Sequence, residues 1–403
     1  MNVYTNMPLS KKIFYAILAM LIGFASVSAY GFSAQVVASP QDKKMEWWFN
    51  QPANSAPHVI QISSVYFHQE FSLFSFFENA SIKDGKFHIK YTITSTDPKG
   101  KKTIVAKDIV QKGSKASKSI IVASTEIVGA CFDKNNPDGL YTFEISAKDE
   151  ISGETSTSKT HLRVVDWNAP IPMNDKKEVV NAIFNFYKNP SPESLYMIFY
   201  SNELNLEQRG APNDLNYIYA GFFRSAFMRN SFLTPFLRDK FPTMSPLDRA
   251  KTIYLFALMD EARIDFNILT ESEKKYQDAM RKANIPAPYA KWDKILGAVQ
   301  IDLLWGEFFA DGTYKPIRRI MDLLAYTEEG NFTLRMLTEK RRPKNREEWE
   351  KMMMGAYHSA ALNSILDYAS QFELIRNYCR WAIQNKDIPE SSFKLLGEIS
   401  EKK

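Results

Sequence analysis

The sequence predicts a multidomain β-plus-α protein, an antiparallel β-sandwich followed by an all-α irregular helical array. Three observations predict it. Between about 55 and 166, apolar residues recur at every second position, the period of a strand with one face in a core. From Asn174 onward they recur every three or four, the period of an amphipathic helix. Ahead of both, Lys11-Lys12 precede an uncharged apolar run at 13–29, the layout of an export signal.

The apolar run comes first in the chain. Small residues Val27 and Ala29 occupy positions −3 and −1 of a cleavage site. Apolar character continues to Ala34, so an uncleaved span over 13–34 is the alternative, anchoring the chain in an inner membrane. No cysteine adjoins the cut, so a lipoprotein anchor of the usual bacterial kind is not expected. Either way the body is expected outside the cytoplasm, in the periplasm or cell envelope, or secreted. The expected organisation is a signal at 1–29, a linker at 30–54, the sandwich at 55–166, a linker at 167–174 and the helical domain at 175–403.

The strands alternate plainly. In Phe87-His88-Ile89-Lys90-Tyr91-Thr92-Ile93-Thr94 the odd positions are apolar and the even ones polar. Tyr141, Phe143, Ile145 and Ala147 repeat the pattern, and Thr160, Leu162 and Val164 close it. Turn pairs such as Asp84-Gly85, Asp138-Gly139 and Ser152-Gly153 separate them, as short antiparallel strands require. The segment Pro137-Asp138-Gly139-Leu140-Tyr141-Thr142-Phe143-Glu144-Ile145, with Asp149 to Gly153 after it, resembles the penultimate hairpin of bacterial immunoglobulin-like modules. That resemblance implies an immunoglobulin-like sandwich with Tyr141 inward. It implies nothing about activity, because such modules serve as spacers, adhesive units, chaperones and enzyme appendages.

The helices begin after Trp167 and the prolines Pro170 and Pro172. Val179, Val180, Ile183, Phe184 and Tyr187 form the first apolar stripe. Ser191-Pro192 and Ser245-Pro246 pair an N-cap with proline at N1. Thr270 with Glu273 and Asn345 with Glu348 have capping-box spacing. Trp305 to Ile320 reads as a helix, a glycine stop and a proline-assisted restart, and it resembles a segment of uncharacterised exported bacterial proteins with a strand-rich front and a helical rear.

Composition narrows the function classes. A formal charge of +5 falls to +3 without Lys11 and Lys12, too balanced for a general nucleic-acid binder. Cys131 and Cys379 are the only cysteines, one per expected domain. Both are expected as buried, unpaired thiols, since Cys131 lies in the apolar stretch Ile127-Val128-Gly129-Ala130-Cys131-Phe132, which reads as a buried strand. His58, His68, His88, His161 and His358 lack metal-ligand spacing, so no metal or other cofactor is expected. Ser156-x-x-Lys159 and Ser272-x-x-Lys275 lack the companion motifs of the acyl-enzymes that use this spacing.

Three groups of residues remain as binding candidates. Glu307 and Asp311, four apart on an apolar helix, share a face and suit an acid pair or a hard-cation site; a solvated stripe is the plainer reading. Trp47 and Trp48 suit a sugar platform, a membrane interface or a plug of the sandwich edge. Arg341 and Arg342 lie in a basic loop that suits either a solvated connector or attraction to anionic lipid or polymer. These features predict a non-enzymatic envelope protein that binds another envelope protein through its helical domain, the sandwich being a spacer or second contact surface. It is expected to touch the membrane only through its N-terminal segment. The rivals are a hydrolase of envelope polymers centred on Glu307 and Asp311, and an adhesive or carbohydrate-binding module centred on Trp47 and Trp48.

Overall fold

The computed structural model describes residues 31–41, 45–52, 57–114, 121–204, 215–259, 266–282 and 297–401. The expected signal at 1–29 lies outside these residues. Strands occupy the front of the chain and helices the rear, a β-plus-α architecture. Strand pairing gives two sheets. One has the order β1 (Ser33–Ser39), β3 (Phe71–Glu78), β6 (Val122–Ala123), with β7 (Val128–Ala130) also on β3. The other runs β2 (Ser64–Tyr66), β9 (Thr155–Val165), β8 (Gly139–Asp149), β4 (Lys86–Thr96), β5 (Lys102–Ser114).

The alternation seen in the sequence sets the pleat. Phe87, Ile89, Tyr91 and Ile93 of β4 are buried, while Lys90 between them is exposed. β4 pairs antiparallel with β5 and with β8. β2 pairs with β9 in parallel, so this sheet is mixed where an antiparallel one was expected. The two strands lie about a hundred residues apart, and no hairpin constrains their direction. The stretch expected as a linker, 30–54, contains β1 and a short helix, α1 (Glu46–Phe49). In β1, Ala34 and Val36 are buried at every second position, a strand pattern hidden in the sequence by the apolar tail of the signal just before it.

Two compact units divide the chain. The first comprises Met1–Val37, Leu73–Val128 and Tyr141–His161; the second comprises Ala38–Ser72, Gly129–Leu140 and Leu162–Lys403. In the first, side chains of both sheets meet: the Phe77 ring of β3 lies 5.2 Å from the Tyr91 ring of β4. The Tyr91 hydroxyl is 2.7 Å from that of Ser124 and donates to the Glu126 carbonyl at 3.2 Å, which satisfies it inside the core.

The second unit carries the helices: α2 (Lys176–Asn185), α3 (Pro192–Phe199), α4 (Leu215–Arg229), α5 (Leu233–Lys240), α6 (Pro246–Leu258), α7 (Glu271–Lys282), α8 (Ala298–Asp311), α9 (Tyr314–Met321), α10 (Thr327–Thr338), α11 (Arg346–Gln371), α12 (Glu373–Gln384) and α13 (Phe393–Glu401). Their starts are chemically marked. The side chains of Ser191, Ser245 and Asn345 accept from the amides of Ser194, Asp248 and Glu348. Thr270 and Glu273 bond reciprocally, each side chain to the other's amide. Gly312, at φ 66°, stops α8 by donating to the Phe308 carbonyl at 2.7 Å, and α9 restarts two residues later.

One aromatic-rich interior joins these helices, with Phe199, Phe223, Trp305 and Phe308 almost fully buried. Both cysteines are free. Cys379 sits inside it, where burial pushes its thiol up to about 12. Cys131 is exposed, against the expectation of a buried strand residue. β7 ends at Ala130, and Phe132 rather than Cys131 turns inward.

Candidate functional site

An open groove of about 570 Å³ lies among the described residues of the helical unit. It is lined by Lys176, Lys177, Val180, Asn181, Phe184, Asn185 and Lys188 on one wall and by Gln371 and Phe372 on the other. Helix α2 presents it for a local reason. Asp175 caps the helix, its carboxylate accepting from the Glu178 amide at 2.8 Å. Val179 and Ile183 then point into the core, and the adjacent stripe 177–180–181–184 is left on the surface. The second wall forms where α11 ends at Gln371.

The floor is apolar. Phe184 packs edge-on against Phe309 at 4.7 Å and lies 6.0 Å from Tyr368. The rim is cationic and amide-rich. Lys188 places its ammonium 5.3 Å over the Phe372 ring and donates to Asn185 Oδ1 at 2.7 Å. Desolvation beside these rings draws the Lys188 pKa below its ordinary value. Asn185 in turn donates to the carbonyl and side-chain oxygens of Asn181, each at 3.0 Å. Three lysines and no carboxylate line the groove, and two of them lie in the first turn of α2, where the helix dipole adds to their attraction for an anion. Such a strip suits a negatively charged chain that also carries apolar side chains.

The residues singled out in the sequence lie elsewhere. Asp311 is held by Arg229 Nη2 at 2.8 Å and accepts from the amide and hydroxyl of Thr313 at 3.0 and 2.8 Å. Its carboxylate fastens the end of α8, and neither Asp311 nor Glu307 lines the groove. Trp47 is 4% exposed and packs edge-on against Trp48 at 6.1 Å, so it offers no stacking face to a sugar. Helix α1 is fixed to the helical unit by Glu46, which accepts from the Lys315 amide at 3.2 Å, and Gln51 just after it accepts from Asn377 at 3.2 Å. Arg341 and Arg342 are exposed in the loop between α10 and α11, and Arg341 pairs with Glu339 at 3.3 Å. Among the described residues no group of three or more His, Cys, Asp or Glu side chains is placed to hold a metal.

The groove itself was concealed by its own stripe. Val180 and Phe184 read as part of the buried face in sequence, but they are half-buried and belong to the groove wall. The signal that distinguishes them is the lysine four residues beyond Phe184 and the lysine three before Val180.

No protein-family model matches this chain, and no curated protein matches it. Among solved structures it is similar to a family 123 glycoside hydrolase from Clostridium perfringens studied for glycolipid glycan hydrolysis. The identity is 7%, the match covers 38% of this chain and 32% of that one, and the TM-score is 0.18. It is also similar to native α2-macroglobulin from Escherichia coli, from domain MG7 to the C-terminus. There the identity is 9%, the coverage 93% and 62%, and the TM-score 0.17. The chain thus spans about a third and about three fifths of the lengths of these two structures. At such scores neither likeness carries an argument about fold or activity.

Proposed function

We propose that this is a non-enzymatic, exported envelope protein that binds an acidic segment of a partner protein in the Lys176–Phe372 groove of its helical unit. The single observation that carries the reading is the make-up of that groove: three lysines, three side-chain amides, an aromatic floor and no acid. Lysines draw an acidic chain in, Asn181, Asn185 and Gln371 can satisfy its backbone, and Phe184 and Phe372 accept its apolar residues. The front strands then serve as a spacer or second contact surface. We read them as an immunoglobulin-like sandwich. The Phe77–Tyr91 contact across two sheets, the burial of Tyr141 and the turn at Gly139, φ 122°, support that reading. The engagement of Asp311 with Arg229 and Thr313 weighs against a hydrolytic acid pair at Glu307 and Asp311.

A photo-crosslinking residue in place of Asn181, in the cell that makes the protein, is expected to yield one discrete protein adduct. The adduct should disappear with Lys177→Glu and Lys188→Glu and persist with the same reversal at Lys394, on the exposed face of α13. A smear of unrelated adducts, or one indifferent to the groove lysines, would sink the proposal.

A further inference from the structure

The loop between α10 and α11 is the tip of a tightly packed helical hairpin. Thr333 Oγ1 donates to the Met352 carbonyl at 3.0 Å. A Cβ on Gly355 would lie 2.1 Å from the Glu329 carbonyl oxygen, so the two backbones nearly touch there. The helices are antiparallel. One turn from Thr333 toward the loop is Leu337, and three residues before Met352 is Trp349, so the two come level at the loop end. Leu334, Leu337 and Trp349 are 64%, 68% and 50% exposed, large apolar side chains standing out in solvent on a rigid support. Beyond them the chain turns sharply: Lys340 has φ 52°, and the Arg341 amide donates back to the Met336 carbonyl at 2.9 Å. That turn displays Lys340, Arg342 and Lys344, which form no ion pair among the described residues; Arg341 and Arg346 are paired with Glu339 and Glu350.

From this juxtaposition we propose that the hairpin tip docks on an anionic phospholipid surface. Leu334, Leu337 and Trp349 enter the boundary between headgroups and acyl chains, and Lys340, Arg342 and Lys344 meet the lipid phosphates. The apolar groups protrude and do not line a cavity. A protein partner would need a matching hollow for them, whereas a fluid bilayer closes around any knob of this size. Tryptophan and leucine beside a turn that bears Lys340, Arg342 and Lys344 have the chemistry of the membrane interface, the nearby Glu339, Glu350 and Glu347 being held by Arg341, Arg346 and Lys351. The charge is complementary to anionic headgroups, each basic residue strengthening attraction by several-fold near such a surface. Among the described residues no helix is long and apolar enough to cross a membrane, so this is a surface contact. It is independent of the groove, which involves none of these residues.

The test uses the full chain with vesicles of phosphatidylglycerol and phosphatidylcholine, or of phosphatidylcholine alone. The apolar segment at 13–29 is common to every variant, so differences between variants report the tip. Arg342→Gln with Lys344→Gln is expected to weaken binding to the anionic vesicles about thirtyfold and to leave binding to phosphatidylcholine unchanged. Leu334→Ser with Leu337→Ser should weaken it about tenfold. Brominated lipid should quench wild-type fluorescence more than that of Trp349→Phe. All five positions are exposed, and unchanged helical circular dichroism shows that the variants fold. Equal binding of wild type and charge variant, or equal quenching of wild type and Trp349→Phe, would overturn the proposal. So would loss of binding in the charge variant alone, because an acidic protein surface would then explain the tip as well.

Discussion

Replacing Arg249 by alanine is expected to lower the stability of the helical unit by about 3–5 kcal/mol, the range for removing one member of a largely buried ion pair. Arg249, on α6, grips Glu273 of α7 with two parallel bonds, Nε at 2.6 Å and Nη2 at 2.7 Å. It also donates to the carbonyls of Phe241 at 3.2 Å and Ile268 at 2.9 Å, and its guanidinium lies 4.2 Å over the Phe241 ring. Both side chains are mostly buried, at 14% and 17% exposed. Alanine would strip the Glu273 carboxylate of its cation, leaving it only the Thr270 donors, and would take a donor from the Phe241 and Ile268 carbonyls. The same pair predicts acid sensitivity. The hydrogen bonds from Arg249 lower the Glu273 pKa to about 2 from 4.5. Because the folded value is the lower one, the stabilisation is full above pH 4.5 and is lost as pH falls through 2. It amounts to about 3 kcal/mol at most. Urea unfolding followed by helical circular dichroism should show a large deficit for the Arg249→Ala variant at pH 7 that narrows toward pH 2. A deficit below about 1 kcal/mol at pH 7 would show that the pair is only ornamental.

A methyl group at position 306 is expected to damage the fold by about 3 kcal/mol or more, although alanine is ordinarily a better helix former than glycine. Helices α4 and α8 cross through facing glycines. A Cβ on Gly306 would lie 2.1 Å from the Ile218 carbonyl oxygen and 2.6 Å from the Phe222 amide nitrogen. A Cβ on Gly221 would lie 2.2 Å from the Leu303 carbonyl oxygen. These obstacles are backbone, which no rotamer change can move aside, so the helices must separate and pull Trp305 and Phe308 out of register. Gly397, on α13, is the internal comparison. Nothing lies within 4 Å of its Cβ position, and Gly397→Ala should raise stability by about 1 kcal/mol. Thermal melts of the two variants should therefore move in opposite directions. Parallel shifts would mean that helix propensity, not the crossing, governs both positions.

Local features of this fold were legible in the sequence because local chemistry produces them. Ser191, Ser245, Thr270 and Asn345 begin helices through bonds to amides three residues away, a relation visible in any one-dimensional reading. The pleat of β4 is equally local. What stayed hidden depends on partners distant in the chain. The parallel union of β2 with β9 is one such case, since nothing in Ser64-Val65-Tyr66 encodes the direction of Arg163-Val164-Val165. The glycine crossing is another, because the close approach needs both Gly221 and Gly306, some eighty residues apart. Asp311 looked like half of an acid pair by its spacing from Glu307, whereas its partner, Arg229, lies on another helix. The groove was missed for a subtler reason. Val180 and Phe184 extend the apolar stripe of α2 beyond the width the core can cover, and a hydrophobic pattern records the stripe but not its surplus.

That surplus is the centre of the account, and its most direct measurement is a titration of the full chain with a synthetic peptide of alternating acidic and apolar residues. The reading predicts saturable binding that weakens with salt, falls about tenfold or more when Lys188 becomes glutamate, and falls again when Phe184 becomes serine. Binding that ignores both substitutions, or that is matched by a basic peptide of the same length, would contradict it.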